Sequence, residues 1–210
     1  MADDPNLAAD VNAVARLTGS FTLRSGQVAS TYFDKYRFEA DPALLARVAA
    51  AMLKLVPVEA EVLAGLELGG VPIAAAMSIA GGWPAAFVRK QAKAYGTCQA
   101  VEGTDVRGRR VALVEDVITT GGAVADAARL VAEAGGEVVA VVCAIWRGDG
   151  PPRIEAAPAL RVLAAMTKAE LEAPPGPQAG DQAAGETSPS AVPPAAAAAE
   201  HRLRGLRDSA

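Results

Sequence analysis

Two acidic residues, two threonines and two glycines follow an apolar run in the stretch VALVEDVITTGGAV, residues 111–124. Glu115 and Asp116 can accept hydrogen bonds from two neighbouring hydroxyl groups, such as those of a ribose. Residues 119–122 are small, so their backbone N–H groups can converge on a phosphate where the next helix begins. The stretch therefore predicts a sugar-phosphate site, although the same residues also suit a plain turn and helix cap.

A cluster of cations lies shortly before that stretch. Arg89, Lys90 and Lys93 fall within five positions of a segment that also carries Tyr95. Cations placed in this way can stabilise the negative charge that develops on a departing diphosphate. The alternative is a basic loop that only faces solvent.

Two further segments carry residue types suited to binding. In LELGG, residues 66–70, the amides of Gly69 and Gly70 can face a second phosphate group, although such turns also occur without a ligand. Nearer the N-terminus, Arg24 offers a cation, and Tyr32 with Phe33 offers an aromatic face. This combination suits a flat, acidic ring.

The pattern of the whole chain indicates how these residues are positioned. Asp41 and Pro42 read as the start of a helix, and from there short β-branched runs alternate with helical segments. This alternation predicts an α/β fold, with a mostly parallel sheet flanked by helices. We expect residues 111–114 to form a central strand, with Glu115 and Asp116 at its mouth, where α/β proteins bind ligands.

The two ends of the chain differ from this central part. Turn signals at Ser25 and Gly26 predict a hairpin or small flap outside the main sheet, a hood over about residues 10–40. Residues 173–210 are Ala/Pro-rich and of low complexity, so we expect a disordered tail. The prediction is one domain over residues 1–172, followed by that tail.

The composition excludes several classes of function. Hydrophobic residues make up 51% of the chain and aromatic residues only 4%, which indicates a core built mainly of Ala, Val and Leu. The net charge of −4 argues against nucleic-acid binding. The apolar runs are far shorter than the roughly 20 residues of a membrane-spanning helix. Cys98 and Cys143 have neither metal nor redox spacing, which favours a reducing cytoplasm.

Together these motifs resemble a known family. The stretch at residues 111–124 is similar to the 5-phosphoribosyl-1-diphosphate (PRPP) loop of type I phosphoribosyltransferases. The N-terminal FTLRSGQVASTYFD, the central AGLELGGVPIA, VRKQAKAYGT and the arginine after CAIW resemble the orotate phosphoribosyltransferases. The resemblance covers roughly residues 10–172 and implies the type I fold with a small N-terminal hood.

The resemblance also implies roles for particular residues. Catalytic roles fall to Lys93, Glu115 and Asp116. PRPP contacts fall to Arg89, Lys90, Lys93, Tyr95, Glu115, Asp116, Val117, Ile118, Thr119, Thr120, Gly121, Gly122, Ala123, Gly69 and Gly70. Orotate contacts fall to Thr119, Arg147, Arg24, Tyr32 and Phe33. Mg²⁺ is expected to be carried by PRPP without a direct protein ligand.

The resemblance further implies a homodimer, in which a mobile lid carrying Lys93 reaches the neighbouring subunit's diphosphate, and a non-proline cis peptide within residues 66–70. The sequence departs from the family pattern at three positions. Tyr95 stands where many members have histidine, Trp146 where an aspartate often precedes the arginine, and Arg24 where many have lysine.

The implied reaction transfers the phosphoribosyl group of PRPP to orotate, giving orotidine 5'-phosphate and diphosphate in pyrimidine biosynthesis. Two alternatives remain open at this stage. The first is a related transferase that uses another base, which would keep residues 115–122 but not need Arg147. The second is a PRPP-sensing regulatory protein that has lost catalysis.

Overall fold

The computed structural model describes residues 4–22, 26–90 and 99–173. The helices are α1 (Leu7–Ala15), α2 (Tyr36–Glu39), α3 (Pro42–Leu53), α4 (Gly70–Gly81), α5 (Gly122–Glu133) and α6 (Lys168–Glu172). The strands are β1 (Arg16–Thr22), β2 (Val28–Phe33), β3 (Val62–Leu66), β4 (Ala85–Val88), β5 (Val101–Gly103), β6 (Arg110–Ile118), β7 (Glu137–Trp146) and β8 (Val162–Thr167).

Among these residues, the main sheet has six strands in the order β5-β4-β3-β6-β7-β8. All neighbouring pairs are parallel except β4 with β5. Every residue of β3 is buried, as expected for a central parallel strand covered on both faces. The predicted α/β fold with a mostly parallel sheet is confirmed.

Two hydrophobic clusters cover the two faces of the sheet. One contains side chains of α1, α3 and α4, among them Val11, Val48 and Ile73. The other contains side chains of α5, including Val124 and Val131. Helices therefore flank both faces, and the carboxyl ends of the strands stay open at one edge.

The sequence predicted the beginning of α3 correctly. The Asp41 carboxylate accepts hydrogen bonds from the backbone N–H groups of Ala43 and Leu44, both at 2.9 Å. Pro42 occupies the first helical position, where its missing N–H leaves no bond unmade.

The structure corrects the length of β6. The predicted strand ends at Val114, whereas β6 continues to Ile118 because β7 is long enough to pair with it as far as Trp146. Glu115 and Asp116 therefore lie within the paired part of β6, near its carboxyl end, rather than beyond the strand. The short edge strand β5 and the single helical turn α2 were not predicted.

The N-terminal hairpin pairs separately from the main sheet. Strands β1 and β2 form their own antiparallel sheet, with Arg16 opposite Phe33. The rings of Phe21 and Tyr32 lie across the pair, 5.5 Å apart between centroids. The predicted turn at Ser25 and the predicted tail beyond Ala173 lie outside the described residues.

Two other predictions from composition can be compared with the fold. None of the helices within the described ranges is long and apolar enough to cross a membrane. Cys143 lies in β7 as a buried free thiol, and burial raises its pKa to about 12. The thiol is therefore protonated and unreactive at neutral pH.

Helix α4 offers a matched test of the core. Ile73 is fully buried and Ile79 is 87% exposed, although both belong to the same helix. We expect Ile73→Ala to lower the free energy of unfolding by about 2–5 kcal/mol, because it leaves a cavity. Ile79→Ala should change it by no more than about 0.5 kcal/mol. Urea denaturation of both variants checks this, and equal losses would contradict the burial of Ile73.

Candidate active site

The loops after β3, β4, β6 and β7 meet at one edge of the sheet, because the carboxyl ends of parallel strands lie together. Backbone hydrogen bonds hold these loops to one another. The N–H of Glu67 donates to the carbonyl of Val88 at 2.9 Å, and the N–H of Arg147 donates to the carbonyl of Ile118 at 2.8 Å. The sheet thus gathers segments that are far apart in sequence.

The turn after β3 packs directly on the end of β6. A cis peptide bond joins residues 67 and 68 in this turn, as the resemblance implied. A Cβ atom at Gly69 would collide with the Asp116 carboxylate, and one at Gly70 with the Val114 carbonyl. Only glycine, which has no Cβ atom, permits the turn to approach β6 this closely.

The two predicted carboxylates have different surroundings. Glu115 lines an open pocket, and its Oε2 accepts no hydrogen bond from a described donor. Burial and the neighbouring Asp116 raise the pKa of Glu115 to about 9. Asp116 is completely buried, so its carboxylate faces protein rather than solvent.

Two residues that the sequence analysis missed surround Asp116. The Lys35 ammonium lies 2.5 Å from Oδ2 of Asp116. The buried Glu39 carboxyl lies beside Asp116, and burial, followed by the interaction with Asp116, raises the pKa of Glu39 to about 8. Burial opposes the charge on Lys35, but the bond to Asp116 outweighs it and the pKa of Lys35 is raised.

A signal for these residues was present in the sequence. Lys35 and Glu39 are four positions apart, which places them on one side of a helical turn. The predicted hairpin treats residues 35–39 as extended chain, in which the side chains of Lys35 and Glu39 would lie farther apart. The single turn α2 brings both side chains to Asp116.

The predicted phosphate loop joins β6 to α5. Thr119 and Thr120 are exposed, while Gly121 has φ +79°, and its Cα packs against Ile154. The positive φ favours glycine and turns the chain into the helix. The free N–H groups at the start of a 12-residue helix make this loop suitable for an anion.

A pocket of about 340 Å³ lies beside α5, the helix that follows this loop. Glu115, Ala123, Arg89 and Lys90 all line it, so the ends of β4 and β6 share one space with the first turns of α5. Arg89 is half-buried, and its Nε makes no hydrogen bond with a described residue. The pocket thus combines two cations with three acidic side chains, those of Glu67, Glu115 and Asp126.

A second, smaller pocket of about 100 Å³ lies between the hairpin and the end of β7. Tyr32, Phe33 and Arg147 line it, together with the cations Arg16 and Lys168. The Arg147 guanidinium lies over the Phe33 ring, 5.3 Å from its centroid. The structure therefore brings three of the five predicted orotate-binding residues together.

Trp146 has a structural position beside that pocket. Its side chain is buried, and its indole N–H donates to the Gly150 carbonyl at 3.0 Å. The ring also leaves no room for a side chain at Gly148, which holds the segment after Arg147 close to Thr119. Thr119 lies on this neighbouring loop, next to the segment that carries Arg147.

Three predicted site residues, Arg24, Lys93 and Tyr95, lie outside the described residues. Within the described ranges, no group of three or more His, Cys, Asp or Glu side chains is placed to hold a metal ion.

Known proteins share both the sequence and the fold of this site. Residues 37–162 match the family model described as the phosphoribosyl transferase domain. An orotate phosphoribosyltransferase of Nocardioides sp. is 60% identical over 170 residues, which cover 81% of this chain and 95% of that protein.

Solved structures agree with the sequence comparison. The orotate phosphoribosyltransferase of Mycobacterium tuberculosis H37Rv in complex with PRPP has a TM-score of 0.66 and 32% identity, over 81% of this chain and 99% of that one. The adenine phosphoribosyltransferase of Thermoanaerobacter pseudethanolicus, at 17% identity and a TM-score of 0.57, shares the fold over 76% of this chain and 99% of that one. By the match of residues 37–162 to the family model and the 60% identity over most of its length, this chain belongs to the phosphoribosyl transferase family and, within it, to the orotate phosphoribosyltransferases.

Proposed function

We propose that this chain transfers the phosphoribosyl group of PRPP to orotate, giving orotidine 5'-phosphate and diphosphate in pyrimidine biosynthesis. The observation that carries the proposal is the pocket where the Glu115 carboxyl group, the first turns of α5 and the cations Arg89 and Lys90 face one space. The 60% identity to an orotate phosphoribosyltransferase supports the same reaction.

PRPP is proposed to bind across the loops at the ends of β3, β4 and β6. The Glu115 carboxyl group, which lines the pocket, would hold the ribose hydroxyls, and the buried Asp116 carboxylate would support this end of β6 from below. The loop at residues 119–123 would hold the 5'-phosphate at the start of α5. Arg89, Lys90 and the amides of Gly69 and Gly70 would hold the diphosphate.

Orotate is proposed to bind in the smaller pocket. Its carboxylate suits Arg147, since a guanidinium pairs with a planar carboxylate through two parallel hydrogen bonds. Tyr32 and Phe33 offer flat aromatic contacts, and Thr119 lies on the loop beside Arg147. The two cations Arg16 and Lys168 add positive charge around an acidic base.

In the reaction, a ring nitrogen of orotate forms the new bond to the ribose as the bond to diphosphate breaks. The nitrogen is already an anion once the ring is deprotonated, so little general-base work is needed. Positioning of the two substrates and stabilisation of the departing diphosphate then dominate. Lys93 on the proposed lid would act on that developing charge, with Tyr95 as a neutral hydrogen-bond donor.

We further propose that PRPP enters as its Mg²⁺ complex, with the ion held by the substrate's own oxygens. The ion neutralises part of the phosphate charge. The pocket suits such a complex because the cations Arg89 and Lys90, which line it, can face the phosphate groups.

The proposed assembly is a homodimer with two-fold symmetry, in which the lid carrying Lys93 completes the neighbouring subunit's site. The proposed location is the cytoplasm, and the buried free thiol of Cys143 is compatible with that reducing compartment. The equilibrium mass of the purified protein and complementation between two differently inactivated subunits test the assembly.

The reaction is tested by supplying PRPP and Mg²⁺ with orotate, uracil, hypoxanthine or adenine in separate assays. Orotate-selective formation of nucleotide supports the proposal. Turnover with another base would reassign the substrate, and PRPP binding without any turnover would favour a regulatory protein. The pocket around Arg147 favours orotate, because a neutral base has no carboxylate to pair with it.

Arg147→Ala should raise the KM for orotate at least ~10-fold, because it removes a charged partner of the substrate carboxylate. The KM for PRPP should change little, since Arg147 does not line the larger pocket. Steady-state kinetics with each substrate varied in turn measure both values. Arg153→Ala, at an exposed position in the same connection between β7 and β8, is the control.

Lys93→Ala should lower kcat by ~100-fold or more while PRPP binding is partly kept, because the lysine is proposed to act as charge builds on diphosphate. Arg107→Ala, which removes a cation whose side chain is 78% exposed, should leave kcat unchanged. Turnover at saturating substrates and direct PRPP titration separate the two effects. Unchanged kcat in Lys93→Ala would remove this lysine from the mechanism.

A further inference from the structure

Two carboxyl groups and one ammonium group converge beneath the turn at Gly69. Asp116 is fully buried and Glu39 is buried beside it, while Lys35 reaches Asp116 Oδ2 at 2.5 Å. The position for a Cβ on Gly69 lies against that same Oδ2 and 2.9 Å from Glu39 Oε1. The cluster therefore joins α2, the β3 turn and the end of β6 at one point.

This arrangement gives a role to Lys35 and Glu39, which are not among the PRPP contacts proposed above. The turn at Gly69 and the acidic end of β6 are the two segments proposed to hold the diphosphate and the ribose. Their relative position depends on where the Asp116 carboxylate lies, because the turn packs directly upon it. Lys35, Glu39 and Asp116 do not line the larger pocket, so they can affect it only through the segments that pack on them, the turn at Gly69 and the end of β6.

We propose that Lys35 and Glu39 are positioning residues for PRPP, which fix the Asp116 carboxylate beneath Gly69 and thereby set the spacing between the β3 turn and the β6 loop. Lys35 supplies the charge that a buried carboxylate requires. Glu39, in its neutral form, donates a hydrogen bond to Asp116. The inference rests on the proposed PRPP site but not on the identity of the base.

The protonation of Glu39 follows from the groups that face it. Asp116 and Glu115 approach it from β6, and Lys35 and Asp34 approach from its own segment. Burial and Asp116 raise its pKa to about 8, so Glu39 is neutral at pH 7. Above about pH 8, an ionised Glu39 would place a second negative charge beside that of Asp116.

The first test measures PRPP affinity by calorimetry in the absence of any base. Lys35→Met should weaken PRPP binding at least ~10-fold, and Lys35→Arg should restore most of it because the cation is kept. Arg37→Met, which removes an exposed cation from the same helical turn, should bind within about twofold of the unaltered protein. PRPP affinity unchanged in Lys35→Met would overturn the inference.

A double-mutant cycle shows whether Lys35 acts through Asp116. The double variant Lys35→Met/Asp116→Asn should bind PRPP no more weakly than Asp116→Asn alone. Once Asp116 is replaced, the ion pair is already lost, so replacing Lys35 has no further effect. This comparison also serves if Lys35→Met alone does not fold, since the double variant leaves no buried carboxylate without a cation. Losses that multiply would mean that Lys35 contacts PRPP directly, which contradicts a positioning role.

The pH dependence tests Glu39. PRPP affinity of the unaltered protein should fall as pH rises through about 8, whereas Glu39→Gln, which keeps a donor and cannot ionise, should lose less. Glu39 is one of the groups that raise the pKa of Glu115, so the difference between the profiles reports the ionisation of Glu39 together with its effect on Glu115. The folded form also holds a proton that the unfolded chain releases near pH 4.5, so stability should decrease between that pH and about 8, and less so in the variant. Parallel profiles for the two proteins would overturn the role of Glu39.

These outcomes are distinct from failure of the proposed function. If the unaltered protein binds PRPP but turns over no base, the positioning tests still apply and only the reaction is wrong. If it turns over orotate and the Lys35 and Glu39 variants bind PRPP normally, only the inference is wrong. If it does not bind PRPP at all, both are wrong.

Discussion

A carboxylate buried without access to water is unstable unless a cation or a hydrogen-bond donor compensates its charge. Asp116 is such a group, and Lys35 and Glu39 supply the compensation from α2. Because α2 follows the hairpin directly, the pair also ties the N-terminal segment to the centre of the main sheet. The placement of the loop after β6 thus depends on residues about 80 positions earlier in the chain.

The same edge of the sheet keeps two kinds of binding separate. The pocket around Glu115, Arg89 and Lys90 is built from strand ends and the start of α5, which suit phosphates and hydroxyls. The pocket around Phe33 and Arg147 combines the hairpin with the end of β7, which suits a flat anion. A backbone hydrogen bond from the N–H of Arg147 to the carbonyl of Ile118 joins the carboxyl ends of β6 and β7, the two strands that lead to Glu115 and to Arg147.

Local patterns allowed much of this to be predicted from the sequence. The alternation of short β-branched runs with helical segments predicted the mostly parallel sheet, and Asp41 with Pro42 marked the start of α3. The end of β6 could not be predicted, because it is set by pairing with β7 rather than by its own residues. Strand β5 is an edge strand of three residues, too short for a period to be recognised.

For the candidate site, the motif located the loop around Glu115, and the resemblance named Arg147 and Phe33, which the structure brings together. Lys35 and Glu39 instead depend on a long-range contact with Asp116. A single helical turn has too few residues to show a recognisable helical pattern in the sequence. Residues that act through another side chain are therefore the ones that a linear motif does not reveal.

The hairpin has a consequence for how such an enzyme can diverge. Strands β1 and β2 bond to each other and not to the six-stranded sheet, so substitutions in them do not disturb the ladder that supports the phosphate loops. A descendant could exchange the aromatic and cationic surface around Phe33 for one that recognises a different ring while inheriting the sugar-phosphate machinery intact. In this architecture, selectivity for the acceptor can evolve as a separate module.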